Sequence, residues 1–243
     1  MARETTPSPD LGPAAASQLP LFISPRALTL GVAAGLIVSA LVAWLSVGVH
    51  LAQVIQLRSQ LSGAAVDAEH GHRIWLTLRI AQGVQATVLG VTALFFFAWL
   101  YRLRVNARAL GVRKFAYARH WSVLGFLIPA LNFVRPYQVM AEVWRASDPS
   151  VLDPFDWTHL EPPRILTLWW ASVVIAATLE LAAFGLGQTA GVDAFKSLVA
   201  NAVAVVADTA TGASASLAYF VVTRLTATQA AKRERLLGHA EDA

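Results

Sequence analysis

The sequence predicts an all-α integral membrane protein with four transmembrane helices and a cytoplasmic re-entrant or interfacial helical element. Of its 243 residues, 56% are hydrophobic and only 14% are charged, whereas about a quarter of the residues in a soluble domain carry charge. Several apolar stretches reach the roughly 20 residues that a helix needs to cross a bilayer. Basic residues then follow the second and the last of these stretches, as expected of cytoplasmic segments.

The chain divides into a tail, a membrane domain and a short C-terminal segment. Residues 1–20 are rich in Pro, Ala, Ser and Thr without periodicity, which predicts a disordered tail. The membrane domain covers residues 21–230, and residues 231–243 form a basic and then acidic cytoplasmic tail. The predicted spans lie at about 27–50, 80–103, 165–186 and 198–222.

Charges in the connecting segments predict the orientation of the spans. The segment after the second span is basic and has no acidic residue; its basic residues are Arg102, Arg104, Arg108, Arg113, Lys114 and Arg119. More basic residues, such as Arg224 and Lys232, follow the fourth span. The positive-inside rule therefore places both termini in the cytoplasm. The six basic residues could also bind anionic lipid head groups, at about 1 kcal/mol each near the surface.

Residues 121–147, between the second and third spans, form the predicted re-entrant or interfacial element. Its apolar part, residues 121–134, is too short for a span, and Pro129 would break its helical hydrogen bonds. A helix of about three turns should begin at Pro136 and stop at Ser147. We expect the element to pack on the bundle from the cytoplasmic side. The alternative is a fifth short span, which would move the C-terminus outside.

The predicted short helix is amphipathic. One face carries Tyr137, Met140, Ala141 and Trp144, and the other carries Gln138, Glu142 and Arg145. Asn132 and Arg135 could satisfy carbonyl groups that are freed at the break before it. This helix would form an ordered platform at the inner membrane face, where a protein partner or a lipid could dock.

Two carboxylates, Glu180 and Asp208, lie inside predicted spans. Intramembrane carboxylates are costly and are candidates for function. Counted from the cytoplasmic ends of their helices, they lie at about 22 Å and about 21 Å. Small residues at four-residue spacing flank both, so both should point into the bundle. Polar partners from the second span would be Arg79, Gln82 and Gln85. The cluster could be a satisfied polar clasp between helices, or it could relay protons or hold a cation.

The first span carries Gly31, Gly35, Ser39 and Ala43 at four-residue spacing. Such a stripe allows close helix packing, either within the bundle or in a homodimer. We favour the bundle.

Other chemistry has little support in the sequence. DAEHGH, residues 67–72, offers zinc-type ligands, but the spacing matches no strong zinc pattern. HExxH, GxSxG and P-loop motifs are absent, so we expect neither an enzyme nor a cofactor. The basic residues sit beside apolar spans, so we expect a lipid bilayer and not nucleic acid as their partner.

Two stretches resemble a known family: WLYRLRVNARALG, residues 99–111, and WSVLGFLIPALNFVRPYQVMAEVWRAS, residues 121–147. They resemble the bacterial membrane family described as domain of unknown function 4328. The residues of the second stretch that carry the resemblance include Trp121, Pro129, Asn132, Arg135, Pro136, Tyr137, Glu142 and Trp144. The resemblance implies a bacterial, inner-membrane, multi-span protein and supplies no reaction. We therefore expect a membrane scaffold or interaction module, or alternatively a small transporter or ion-handling protein that uses Glu180 and Asp208.

Overall fold

The computed structural model describes residues 21–63, 68–113, 115–117, 124–126, 128, 131–191 and 193–241. Its helices are α1 (Arg26–Leu61), α2 (Ala68–Ala109), α3 (Arg135–Ala146), α4 (Arg164–Ala190) and α5 (Ala194–Glu241). A short 3-10 helix, Asp156–His159, lies between α3 and α4. The predicted disordered tail, residues 1–20, lies outside the described residues, as do Lys114, Arg119, Trp121 and Pro129.

Four helices of the described chain, α1, α2, α4 and α5, are long and apolar enough to cross a membrane. Each predicted span therefore falls on a helix of suitable length and composition. The helices extend beyond those spans: α5 continues through the segment AAKRERLL, whose residues are nearly all strong helix formers. Most of the segment predicted as a C-terminal tail is consequently helical.

Helices α1 and α5 form the centre of the bundle. They pack along each other, with α2 against α1 and α4 against α5. Thr29 and Thr226 share a hydrogen bond of 3.1 Å near one end. We call this the cap end, because α3 lies there, and we call the opposite end, where α1 connects to α2 and α4 to α5, the far end. His50 and Asn201, 2.8 Å apart, join α1 and α5 toward the far end.

Glycines on α1 allow close contact with α2. A Cβ atom on Gly31 would lie 2.6 Å from the ring of Phe95, and one on Gly35 would lie 2.1 Å from the hydroxyl of Thr92. Ser39 and Ala43, the next residues of the stripe, are buried as well. The stripe therefore serves packing inside the bundle, as we expected.

An aromatic core closes the cap end. The ring of Phe96 on α2 lies 5.4 Å from that of Trp99, 5.5 Å from that of Phe126 and 6.3 Å from that of Trp169 on α4. Trp170 donates a hydrogen bond of 2.8 Å to the carbonyl of Phe133. The segment before α3 is thereby fixed between α2 and α4.

Candidate functional site

Helix α3 lies in the cap, which we define as residues 112–160 between α2 and α4. Its bounds agree with the prediction: Pro136 is in the first turn and Ser147 follows the last residue. Its predicted polar face is partly wrong, because Glu142 is as buried as Met140 and Trp144 on the other face. The periodicity identified an amphipathic helix, but α3 is covered on both sides.

Glu142 is held by a buried ion pair with Arg104 of α2. The guanidinium Nη2 lies 3.1 Å from Oε2 of the carboxylate, and both side chains are only 2% exposed. The other carboxylate oxygen accepts a hydrogen bond from the backbone N–H of Ala116, and Arg104 donates to the carbonyl of Tyr117. Burial raises the pKa of Glu142 above its ordinary value, while Arg104 and the amide donor act in the opposite direction. The pair ties the connection after α2 to α3.

Arg104 is buried and therefore cannot reach a lipid head group. Of the other predicted basic residues in the described chain, Arg102 is half-buried, and Arg108 and Arg113 are exposed. The Arg108 guanidinium lies 5.7 Å from the ring centre of Phe115. Arg102, Arg108 and Arg113 therefore remain as the accessible positive charge of the predicted set.

The residues at the start of α3 interact with one another and with α4. Arg135 donates a hydrogen bond of 3.0 Å to the side chain of Gln138 and lies 4.8 Å from the ring centre of Tyr117. The hydroxyl of Tyr137 lies 3.2 Å from that of Thr167. Asn132 is exposed. These contacts orient the first turn of α3 against α4.

The extension of α5 fastens the C-terminal end of α3. Gln229, which is 1% exposed, donates hydrogen bonds to the carbonyl of Leu103 at 2.9 Å and to the hydroxyl of Ser147 at 3.2 Å. Lys232 donates to the carbonyl of Ala146 at 2.9 Å. A lysine at the last carbonyls of a helix is favourable because it also interacts with the helix dipole. This part of α5 is thus structural.

Asn106 of α2 binds the segment before α1. Its side-chain oxygen accepts from the backbone N–H of Ile23 at 3.1 Å, and its side-chain nitrogen donates to the Ile23 carbonyl at 2.8 Å. The same nitrogen lies 3.3 Å from the side-chain oxygen of Gln229. One buried amide therefore links the chain entering α1 with α2 and α5.

A second group of polar side chains lies between α1, α4 and α5, toward the far end. We call it the polar cluster; it consists of His50, Glu180, Asn201, Asp208 and Thr211. His50 Nδ1 lies 2.8 Å from Asn201 Oδ1, and His50 Nε2 lies 3.6 Å from Asp208 Oδ2. Thr211 donates a hydrogen bond of 2.9 Å to Glu180. Thr211 stands three residues after Asp208 on α5, so this hydrogen bond places Glu180 at a similar level of the bundle.

The hydrogen bonds of Asn201 determine how His50 meets Asp208. The amide nitrogen of Asn201 donates to the carbonyl of Ser197 at 2.8 Å, so its oxygen faces His50 and can only accept. His50 Nδ1 must therefore carry the proton of that hydrogen bond. In a neutral imidazole, Nε2 then presents a lone pair to the carboxylate of Asp208. One more proton bound by the pair would relieve the repulsion between these two facing acceptors.

The structure brings together only part of the predicted cluster. Asp208 has a side chain only 16% exposed, as expected, whereas Glu180 is exposed although its face of α4 turns toward α5. The expected partners on α2 are not in the cluster. Arg79 and Gln82 are exposed, with Arg79 over the ring of Trp75 at 5.5 Å, and α2 packs on α1. The sequence did not reveal that α1 and α5 occupy the centre of the bundle.

Sequence reasoning missed three residues of the cluster, which are Asn201, Thr211 and His50; His50 stands at the last position of the first predicted span. The helical periodicity of α1 nevertheless indicates that His50 faces the bundle. Ser39, Ser46 and His50 share one face of α1, and all are buried. This row of hydroxyl groups runs from the cluster toward the cap end. In the described residues, no group of three His, Asp or Glu side chains is arranged to hold a metal ion.

These observations define a class: an all-helical protein with four helices that could span a membrane, a cap on one end and a polar cluster toward the other. The family described as Domain of unknown function (DUF4328) matches residues 62–227, and the chain belongs to this family. The match confirms the resemblance seen in the sequence. It begins after α1, so His50 precedes it, whereas Arg104, Glu142, Asp208 and Gln229 lie inside it. No curated protein and no solved structure matches the chain.

Proposed function

We propose that this chain is a multi-pass protein of the bacterial inner membrane, with both termini in the cytoplasm, and that it transfers protons through the polar cluster. The single observation that supports this most is the facing of His50 Nε2 and Asp208 Oδ2 at 3.6 Å, which favours the uptake of a proton. Imidazole changes its charge near neutral pH, and imidazole and carboxylate groups are both common general acids and bases in proteins.

The depth of the cluster supports an exchange with water on the outer side. At 1.5 Å per residue, Asp208 lies about 27 Å along α5 from Thr226 at the cap end. The hydrocarbon core of a bilayer is about 30 Å thick, so the cluster lies in its outer part. Charged groups are costly there and commonly mark ion pathways. The buried hydroxyls of Ser46 and Ser39 continue from His50 toward the cap end.

The orientation rests on charge. Arg102, Arg108 and Arg113 lie at the cap end of α2, and Arg224 lies on the same end of α5. Positive charge beside membrane spans marks the cytoplasmic side. The cap is then cytoplasmic, and the far end faces the exterior. The chain has no HExxH, GxSxG or P-loop motif, and in this proposal it is not an enzyme.

A role as a scaffold or interaction module is the second candidate, and one observation favours it. The segment before α3 exposes several apolar side chains, which are Leu124, Ile128, Phe133 and Val134. Met140 and Trp144 are buried and are not available to a partner. A protein or a lipid surface would therefore dock on the segment before α3 and not on α3 itself.

A flux measurement tests proton transfer. The full chain is reconstituted in liposomes that contain a pH-sensitive dye, and a potassium diffusion potential is imposed. We expect proton entry above that of empty liposomes, and we expect Asp208→Asn to lower this excess at least tenfold. Asp193→Asn is the matched control, because Asp193 is exposed and its role at the start of α5 can be filled by asparagine.

Unchanged flux in a folded Asp208→Asn variant would exclude the polar cluster as a proton path. The cluster would then be a clasp between helices, and the exposed segment before α3 would be the functional surface.

A further inference from the structure

A groove opens between α1 and α2 near the far end. Its volume is about 470 Å³, within the range of about 300–1,000 Å³ of small-molecule sites. From α1 it is lined by Leu45, Gly48, Val49 and Ala52, and from α2 by His70, Arg73, Ile74 and Thr77. The floor on α1 is therefore apolar, and the α2 wall carries polar side chains and the permanent positive charge of Arg73.

The level of the groove matches the edge of a membrane. Gly48 lies about 29 Å along α1 from Thr29, at 1.5 Å per residue, and Thr29 is level with Thr226, from which the depth of Asp208 is counted. This is close to the roughly 30 Å thickness of the hydrocarbon core. A ligand in the groove would have an apolar part in the hydrocarbon and a polar part at the outer head-group level.

Arg73 lacks an acidic partner in the part of the chain that the structure describes. No carboxylate of those residues comes within 4.0 Å of its guanidinium. Guanidinium groups bind phosphate oxygens through two parallel hydrogen bonds. The position of Arg73 beside an apolar floor suits a molecule that joins a phosphate group to an acyl chain.

We propose that this groove binds an anionic phospholipid of the outer leaflet, with one acyl chain on Leu45, Val49 and Ile74 and the phosphate at Arg73. The site is separate from the polar cluster and does not depend on proton transfer. Apolar contact supplies the binding, and Arg73 supplies the preference for a net negative head group.

Native mass spectrometry of the full chain in mild detergent tests this site, with equal amounts of phosphatidylglycerol and phosphatidylcholine added. We expect the wild-type chain to retain phosphatidylglycerol at least threefold over phosphatidylcholine. Arg73→Gln should reduce this ratio to about one. Arg79→Gln is the matched control, because Arg79 lies on the same helix, over Trp75 and outside the groove.

A second variant tests the apolar floor. A Cβ atom on Gly48 would meet no atom within 4 Å, and Gly48 lines the groove, so the side chain of Gly48→Leu should extend into it. We expect it to lower the retention of both lipids at least threefold. Equal retention of the two lipids by the wild-type chain, equal effects of Arg73→Gln and Arg79→Gln, or unchanged retention by Gly48→Leu would each overturn the proposal.

Discussion

At the scale of single residues, the cap contains a buried ion pair of Arg104 and Glu142, whose side chains are each only 2% exposed. Glu142 was expected on the exposed face of a short amphipathic helix, yet it pairs with Arg104 inside the cap. Periodicity reports which residues share a helix face, but it cannot report that a second face is covered by another part of the chain. Asp208 was easier to find, because a carboxylate within an apolar span stands out.

The buried pair leads to a prediction for stability. Glu142→Gln should lower the free energy of unfolding by about 3–5 kcal/mol, because it leaves the charge of Arg104 buried without its partner. The measurement is unfolding of the full chain in mixed micelles, followed by circular dichroism.

Glu161→Gln serves as the control for the buried pair. Glu161 lies between the cap and α4 and is exposed, so its loss should change the free energy of unfolding by about 0.5 kcal/mol or less. Equal effects of the two substitutions would show that the pair does not hold the cap.

At the scale of elements, the helices were predictable and their partners were not. The bounds of α3 followed from Pro136 and Ser147, and the four spans followed from hydropathy. The role of the α5 extension could not be predicted from the sequence, because Gln229 and Lys232 look like ordinary polar residues that follow a membrane span. Their meaning depends on the carbonyl groups of Leu103 and Ala146, which come from distant parts of the chain.

The contact between Asn106 and Ile23 gives a prediction at this scale. Asn106→Ala removes two hydrogen bonds to the backbone of Ile23, at about 1 kcal/mol each. Local release of the segment before α1 should rise by roughly 30-fold, since about 1.4 kcal/mol is a factor of ten. Limited proteolysis with N-terminal fragment analysis measures this release.

The control for this experiment is Asn132→Ala, an exposed asparagine before α3. It should leave the rate of cleavage before α1 unchanged. If Asn106→Ala is cleaved no faster than Asn132→Ala, the side chain of Asn106 does not hold the entry to α1.

At the scale of the whole molecule, the order of the helices decides which polar groups meet. Because α1 and α5 lie at the centre, His50 reaches Asp208, whereas Arg79 and Gln82 on α2 do not. The helices could be predicted from the sequence, and so could Asp208 as one of the two residues that meet. The sequence could not supply the lateral order, which depends on long-range packing such as that of Gly35 on Thr92.

The central claim is that the polar cluster exchanges protons with water on the outer side and is not a dry clasp. The chain contains no cysteine, so single cysteines can be placed at will. Ala204 lies one turn from Asp208 and is half-buried, Thr211 contacts Glu180, and Ala207 is fully buried. Ser62, exposed after α1, reports the outer surface.

The measurement is the labelling of these single-cysteine variants in intact cells by a thiol reagent that does not cross membranes. We expect reaction at positions 204, 211 and 62 and protection at position 207. Protection at both 204 and 211, with position 62 reactive, would mean that water does not reach the cluster and would contradict its role in proton transfer.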